Sequence, residues 1–284
     1  MKVGIIGSSG QLGHDLMRVF GNDAVGYTHK ELDITDVASL EKIKDVDYVI
    51  NTAAYHKFND CESNPIQAMN INTMGQSNVV KRCEKIGAVP VYISTDYVFS
   101  GKEHKQYDED APPSPINIYG LTKLGGELYT TFGNTGFTTI GNTSREKKYY
   151  IFRVSSLFGL VGPSGKGSNF VDAITKKAKS GEKIQVVDDI VMTPTYTLDA
   201  ANVIASVLRK REEYGIYHAS NEGMCSWFEF AKEIVNQLSL NVEVEPSKNT
   251  QPNRPAYTPL KSRKVKNRPW KDALTCYLKE KGHL

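Results

Sequence analysis

Tyr119 and Lys123 lie four residues apart in the stretch Tyr119-Gly120-Leu121-Thr122-Lys123. On a helix that spacing puts both side chains on one face, one turn apart. A phenol is a poor acid at neutral pH, with an ordinary pKa of about 10. An ammonium beside it favours the phenolate, lowers that pKa and makes the tyrosine a usable proton donor or acceptor. Upstream, Ser94-Thr95-Asp96-Tyr97-Val98-Phe99 supplies the Thr95 hydroxyl, which can share the same substrate oxygen. Thr95, Tyr119 and Lys123 together are equipped to protonate a carbonyl while a hydride arrives at its carbon. The pair alone is a weak signal. The chain has 15 tyrosines, and a second match, Tyr257 to Lys261, carries Pro259 inside it, which disfavours a helix interior. The elements around Tyr119 must decide.

Lys2 to Ile6 is a short strand-like run, followed by Gly7, Ser8, Ser9, Gly10, Gln11, Leu12 and Gly13, then Leu16, Val19 and Phe20 at helical spacing. A glycine-rich turn between strand and helix lets backbone approach a pyrophosphate, which then sits on the helix N-terminus. The plain alternative is an ordinary strand-to-helix turn. A second strand is expected over Ala24 to Thr28. Its end reads Thr28-His29-Lys30, where many NAD-binding folds carry an acid for the ribose 2′-hydroxyl. His29 and Lys30 suit a 2′-phosphate and tilt the reading to NADPH; as solvated turn residues they would say nothing. Glu31 and Asp33 nearby keep NADH open. A helix capped near Thr35 or Asp36 should turn Val37, Leu40 and Ile43 inward. Tyr48 to Asn51 is the third strand and opens into Thr52, Ala53, Ala54, Tyr55 and His56, small residues at a crevice edge. A long helix starts near Pro65, a residue suited to a first turn, and its Asn72 reads first as a satisfier of neighbouring backbone. Val89 to Ser94 delivers Thr95, a surface loop runs from Ser100 to Pro115, and the helix from Asn117 to Tyr129 bears Tyr119 and Lys123. Strands alternating with helices predict a parallel, doubly wound α/β sheet.

Thr131 to Lys148 is rich in Gly, Asn and Thr and suggests a hairpin or flap. Tyr150 to Ser155 is another strand, and a glycine-rich loop spans Gly159 to Gly167. The rest reads as helix and strand from Ser168 to Val187, a helix from Leu198 to Arg209 and a strand from Gly215 to His218. A capping box, Ser226 to Glu229, then starts a helix; a short strand over 242–244 and a final helix from Pro269 follow.

At 284 residues the chain suits one large α/β domain carrying a smaller lobe. The net charge of +3 is too small to argue for nucleic acid or an acidic membrane, and no apolar run is long enough to span a bilayer. The four cysteines are scattered and read as reduced, and the six histidines form no metal-binding pattern. A cytoplasmic protein without a metal is expected. Monomer and homodimer both remain open.

The ordered set comprises Gly7, Gly10 and Gly13; Asn51 to Tyr55; Ser94 to Phe99; and Tyr119 to Lys123. It continues through Gly167 to Phe170, Val187 to Asp189, Pro194 to Thr197, and Arg254-Pro255. This set resembles the dTDP-4-dehydrorhamnose reductase family of the extended short-chain dehydrogenase/reductase superfamily, over nearly the whole chain. The resemblance implies a Rossmann-like doubly wound parallel sheet, residues 1–160 with part of 185–225 returning to it, and a smaller C-terminal α/β substrate lobe, mainly 161–284. It implies reduction of the 4-keto group of dTDP-4-dehydro-β-L-rhamnose by NADPH or NADH. It makes Tyr119 the proton donor, Lys123 the holder of the nicotinamide ribose that lowers the Tyr119 pKa, and Thr95 its tuner. Gly7, Ser9, Gly10, Gln11 and Leu12 would meet the cofactor pyrophosphate, with Thr28, His29, Lys30, Asp33 and Ile34 on the adenosine side. Ala53, Ala54 and Tyr55 would face the nicotinamide. Thr95, Asp96, Tyr97, Ser156, Asn169, Phe170 and Arg254 would meet the dTDP-linked keto sugar, Arg254 through its diphosphate.

Two features depart from that pattern. Ser156 stands where the family usually has Trp packed on the sugar, removing apolar contact worth about 1 kcal/mol. The 131–148 segment is longer than the usual link. Some members hold Mg²⁺ through acidic side chains, and only Asp15 matches here. The rival readings are a reductase or epimerase of another nucleotide-linked 4-keto-6-deoxy sugar, and a non-catalytic NADP-binding regulatory subunit such as the relative that serves methionine adenosyltransferase. Dehydration is disfavoured because Thr95 is followed by Asp96-Tyr97 and not by an acidic pair.

Overall fold

The computed structural model describes residues 1–133, 148–163 and 168–284. Six parallel strands form the central sheet: β1 (Val3–Ile6), β2 (Ala24–Tyr27), β3 (Tyr48–Asn51), β4 (Val89–Thr95), β5 (Tyr150–Val154) and β6 (Gly215–His218), in the order β6-β5-β4-β3-β1-β2. The chain runs outward from β1 to β2, then returns to build β3 on the other side of β1. That reversal leaves a crevice beyond the carboxyl ends of β1 and β3, the usual ligand position in such sheets. Every residue of β1, β3 and β5 is buried, as strands covered on both faces must be.

Alternation along the strands divides the core. Val3, Ile5, Tyr48 and Ile50 pack with α1 (Gln11–Phe20) and α7 (Thr197–Lys210). Ile6 and Val49 face the other way, onto Val79 and Cys83 of α4 (Gln76–Ile86). Helix α5 (Ile118–Gly133) lies beside α4 on that second face. This is a Rossmann-like, doubly wound α/β sheet. A separate aromatic-rich cluster joins Phe158, Tyr196, Phe230, Trp270 and Tyr277. It is built from α6 (Phe170–Lys179), α8 (Trp227–Gln237), α9 (Trp270–Glu280) and a parallel ribbon pairing Ile184–Val187 with Val244–Ser247.

Several boundaries differ from expectation. The helix expected after Thr35 is only a 3-10 turn, Ser39–Lys42, and Val37 is 63% exposed while Leu40 and Ile43 are buried. The Asp33 carboxylate accepts the N–H and O–H of Thr35, closing a tight turn that competes with a helical start. The helix from Pro65 is not uniform: α3 (Pro65–Met69) passes through a π-helical segment, Asn70–Gly75, before α4. A short α2 (Phe58–Ser63) precedes it. The strand expected over 242–244 lies at Val244–Ser247, and α5 continues to Gly133. The expected hairpin beyond Gly133 and the loop residues 164–167 lie outside the described residues.

Candidate active site

The glycine-rich turn packs hard against its neighbours. Gly7 takes φ +79°, and a methyl on Gly13 would sit 2.1 Å from the Gly7 carbonyl oxygen. Helix α1 therefore starts flush against the end of β1, with Gly10 at its N-cap and no side-chain cap. Its first N–H groups are left for a ligand, and the helix dipole favours an anion there. These residues fit a dinucleotide pyrophosphate.

Beyond β4 the chain makes a 3-10 turn, Asp96–Val98, in which Thr95 Oγ1 accepts from Tyr97 N at 3.2 Å. Helix α5 crosses this turn closely: a methyl on Gly120 would lie 2.0 Å from the Tyr97 carbonyl oxygen. Asn117 caps the helix, its Oδ1 accepting from Gly120 N at 2.7 Å. The close crossing sets Tyr119 edge-on against Tyr97, with ring centroids 5.6 Å apart. Lys123 is 2% exposed; its Nζ donates to the Ile93 carbonyl at 2.6 Å and lies 4.1 Å from the Tyr92 ring centre.

Burial dominates the electrostatics. The Tyr119 phenol is pushed well above its ordinary pKa by desolvation, with the Thr95 hydroxyl pulling the other way and Asp96, Cys61 and Tyr97 adding to the rise. Burial lowers Lys123 to about 7, against the pull of Glu127. Sequence spacing led to the expectation of a lowered Tyr119 pKa; the net direction in this arrangement is upward. Burial sets the direction at Tyr119, and the same dry surroundings disfavour the Lys123 ammonium. Glu127 is itself paired with buried Arg153 through bonds of 2.9 and 2.7 Å.

One cavity of about 1180 Å³ gathers most of the predicted residues. Gly7, Ser9, Gly10, Gln11, Leu12, His29, Asp33, Ile34, Ala53, Ala54 and Tyr55 line one end, and Thr95, Asp96, Tyr97, Tyr119, Lys123 and Ser156 the other. Asn72 performs the backbone-satisfying role expected of it. Its Oδ1 accepts from Tyr55 N at 2.8 Å and its Nδ2 donates to Tyr55 O at 2.9 Å, so the π segment pins the cavity wall.

Five predicted residues do not line the cavity. Thr28 turns its N–H and O–H onto Glu31, at 2.9 and 2.8 Å, and Lys30 is exposed. Asn169 caps α6 and donates to Gly159 O and Tyr277 Oη. Phe170 packs behind Trp227, with centroids 4.6 Å apart. Arg254 donates Nε to Tyr97 Oη at 3.0 Å, and its guanidinium carbon lies 5.7 Å from the Trp227 ring centre. It has no carboxylate partner among the described residues.

Sequence reasoning missed Trp227, Pro163, Gln67, Asn70, Met74 and Asn78, all in the lining; Thr52 and His56, expected at the crevice edge, line it too. Trp227 opens α8 directly after the Ser226 cap; the capping box was visible, but nothing local says that its first aromatic faces a ligand. Ser156 holds φ +45°, a strained left-handed backbone for a serine. Asp15 has a cationic neighbour of its own: Arg18 bridges it to Glu280, at 2.8 and 2.5 Å, and Thr197 Oγ1 donates to it at 2.5 Å. Among the described residues no cluster of three or more His, Cys, Asp or Glu is set to hold a metal ion, and no helix is long and apolar enough to cross a membrane.

The family model described as the RmlD substrate binding domain matches residues 1–281. The spore coat polysaccharide biosynthesis protein SpsK of Bacillus subtilis is 36% identical over 298 residues, covering 99% of this chain and 98% of that protein. The crystal structure of dTDP-4-dehydrorhamnose reductase from Bacillus anthracis in complex with NADP superposes with a TM-score of 0.85 at 34% identity, over 98% of this chain and 99% of that one. A dTDP-4-dehydrorhamnose reductase from Clostridium acetobutylicum gives a TM-score of 0.86 at 32% identity, over 99% and 100%. With the glycine-rich turn, the Thr95, Tyr119 and Lys123 cluster and the full-length match in agreement, the chain belongs to the dTDP-4-dehydrorhamnose reductase family, that of the RmlD substrate binding domain.

Proposed function

We propose that this chain is an oxidoreductase that reduces the 4-keto group of dTDP-4-dehydro-β-L-rhamnose to give dTDP-L-rhamnose, with NADPH, or NADH, as reductant. The observation that carries the reading is the single cavity joining the glycine-rich turn to Thr95, Tyr119 and Lys123. The NADP complex of the 34% identical relative supports the cofactor.

When bound, the reduced nicotinamide supplies the hydride to the carbonyl carbon. Tyr119 gives its proton to the carbonyl oxygen, so the ketone becomes an alcohol and the phenol a phenolate. The raised Tyr119 pKa keeps that proton in place until it is needed. The cost falls on the phenolate, which Thr95 and the Lys123 ammonium offset. A negatively charged cofactor favours the ammonium form of Lys123. The α1 N-terminus and Gln11 would hold the pyrophosphate, and His29 and Asp33 would lie on the adenosine side. Asp96, Tyr97, Ser156 and Trp227 would surround the sugar. Arg254, a cation whose guanidinium meets a phenol and an aromatic face, suits the diphosphate. Residues 1–160 with the returning part of 185–225 would carry the cofactor, and 161–284 most of the sugar nucleotide. Free, mostly buried cysteines support a reducing, cytoplasmic setting.

The test is oxidation of NADPH and of NADH by enzymatically prepared dTDP-4-dehydro-β-L-rhamnose, with Tyr119→Phe as control. Turnover lost in the variant supports the reading. Tight NADP binding without turnover on any keto sugar sinks it and favours a regulatory subunit.

A further inference from the structure

The segment 251–268 leaves the aromatic-rich cluster and runs back along the first sheet. It pairs with Tyr107 through Leu260 and Lys261, is clipped by Glu109 at Ser262 and Arg263, and is anchored by Arg268 on Asp199. Along the way Thr258, 1% exposed, donates its Oγ1 to Asp96 Oδ2 at 2.7 Å. Ser155, just past β5, donates to the same oxygen at 3.0 Å. The other carboxylate oxygen, Oδ1, accepts from Thr95 Oγ1 at 3.0 Å. Both oxygens of Asp96, 3% exposed, are thus engaged within the protein.

A hydroxyl has one proton to give. While Thr95 gives it to Asp96, Thr95 can meet Tyr119 only as an acceptor. A Tyr119 phenolate, however, needs a donor, and Thr95 is the hydroxyl that draws the Tyr119 pKa down. Asp96 and the phenolate compete for the same proton. Donors loaded on the far oxygen of a carboxylate draw charge from the near one and loosen its hold. Resting on the reductase reading above, we infer that Thr258 is a positioning residue for Tyr119, acting through Asp96 and Thr95. Removing its hydroxyl makes Asp96 a stronger competitor and leaves the phenolate less supported.

The test compares Thr258→Val, which removes the hydroxyl at similar volume, with Thr258→Ser, which keeps it. Ser155→Ala removes the other donor to the same oxygen and serves if Thr258→Val does not fold. In Thr258→Val, kcat falls about tenfold with KM for the sugar nucleotide within about twofold, and Thr258→Ser restores it. Ser155→Ala moves kcat in the same direction. The second readout is the Tyr119 titration in the NADP⁺ complex, taken as the tyrosinate absorbance difference between each protein and its Tyr119→Phe counterpart. It rises in Thr258→Val and returns in Thr258→Ser. The other titratable groups that act on Tyr119, namely Asp96, Cys61, Tyr97 and Tyr92, keep their identities throughout, as does Lys123 one turn along α5. A raised KM at unchanged kcat, equal losses in the valine and serine variants, or an unmoved Tyr119 titration overturns the inference. If the wild-type chain reduces no dTDP-linked keto sugar, the reductase reading fails by itself, and the titration still decides the role of Thr258.

Discussion

The two ends of the cavity are built differently. The end lined by Gly7, Ser9 to Leu12 and Ala53 to Tyr55 comes mainly from residues that closely follow β1 and β3. Its geometry is local: a turn, a helix start and a strand end. The other end is assembled from segments far apart in the chain. Asp96 and Thr258 are 162 residues apart, Tyr97 and Arg254 157. Trp227 arrives from α8. A local site can be copied wherever a strand meets a helix, whereas the distant one exists only when the whole chain has closed on itself. A cofactor shared by many reactions suits the first kind of site, and a particular sugar suits the second.

The largest effect should come at the seam between the two ends. Tyr119→Phe should cut kcat by roughly a thousandfold while NADP⁺ and the sugar nucleotide still bind, measured by single-turnover kinetics and calorimetry. If binding at either end fails with it, the two ends are not separable. Beneath the seam, Glu127→Gln leaves Arg153 buried without its carboxylate, at a cost of about 3–5 kcal/mol, read as a fall in the denaturant midpoint. Lys123→Met tests the burial cost from the other side. The folded Lys123 pKa of about 7 lies below its ordinary value, so the unfolded chain binds more protons between the two, and wild-type stability rises with pH there. The variant should be more stable than wild type by roughly 1–2 kcal/mol near pH 6, and the gain should shrink towards about pH 9, followed by thermal unfolding. Arg254→Ala should touch only the distant end, raising KM for the sugar nucleotide about tenfold without changing cofactor affinity. The smallest effect belongs to the local end. Glu31 occupies the Thr28 N–H and O–H at the close of β2. Glu31→Gln should shift the ratio of NADP⁺ to NAD⁺ affinity about threefold towards NADP⁺, in fluorescence titrations at low salt.

The same contrast explains what could be read from the amino-acid sequence. Continuous apolar runs marked the inner strands β1, β3 and β5, because strands covered on both faces have no polar side to show. The glycine spacing and the Tyr119–Lys123 offset marked the local end and the catalytic helix. The π segment was invisible, since one extra residue in a helical turn leaves the apolar pattern almost unchanged. Val37 misled because it falls at helical spacing with Leu40, yet the Asp33–Thr35 turn wins locally. Trp227, Thr258 and the true neighbours of Asp96 carry no local mark; their roles are fixed by partners on other elements, 162 positions away in the case of Thr258 and Asp96. The Tyr119 pKa was misjudged for a related reason. Spacing shows which charge stands nearby, but not how little water remains around it.

The return segment that carries Arg254 and Thr258 also sets an order of events during synthesis. A ribosome delivers the glycine-rich turn first, then β1 to β5, then β6, and only near the end of these 284 residues the side chains that complete the sugar end. The end of the cavity completed by Tyr97, Trp227 and Arg254 is therefore the last that a growing chain can assemble.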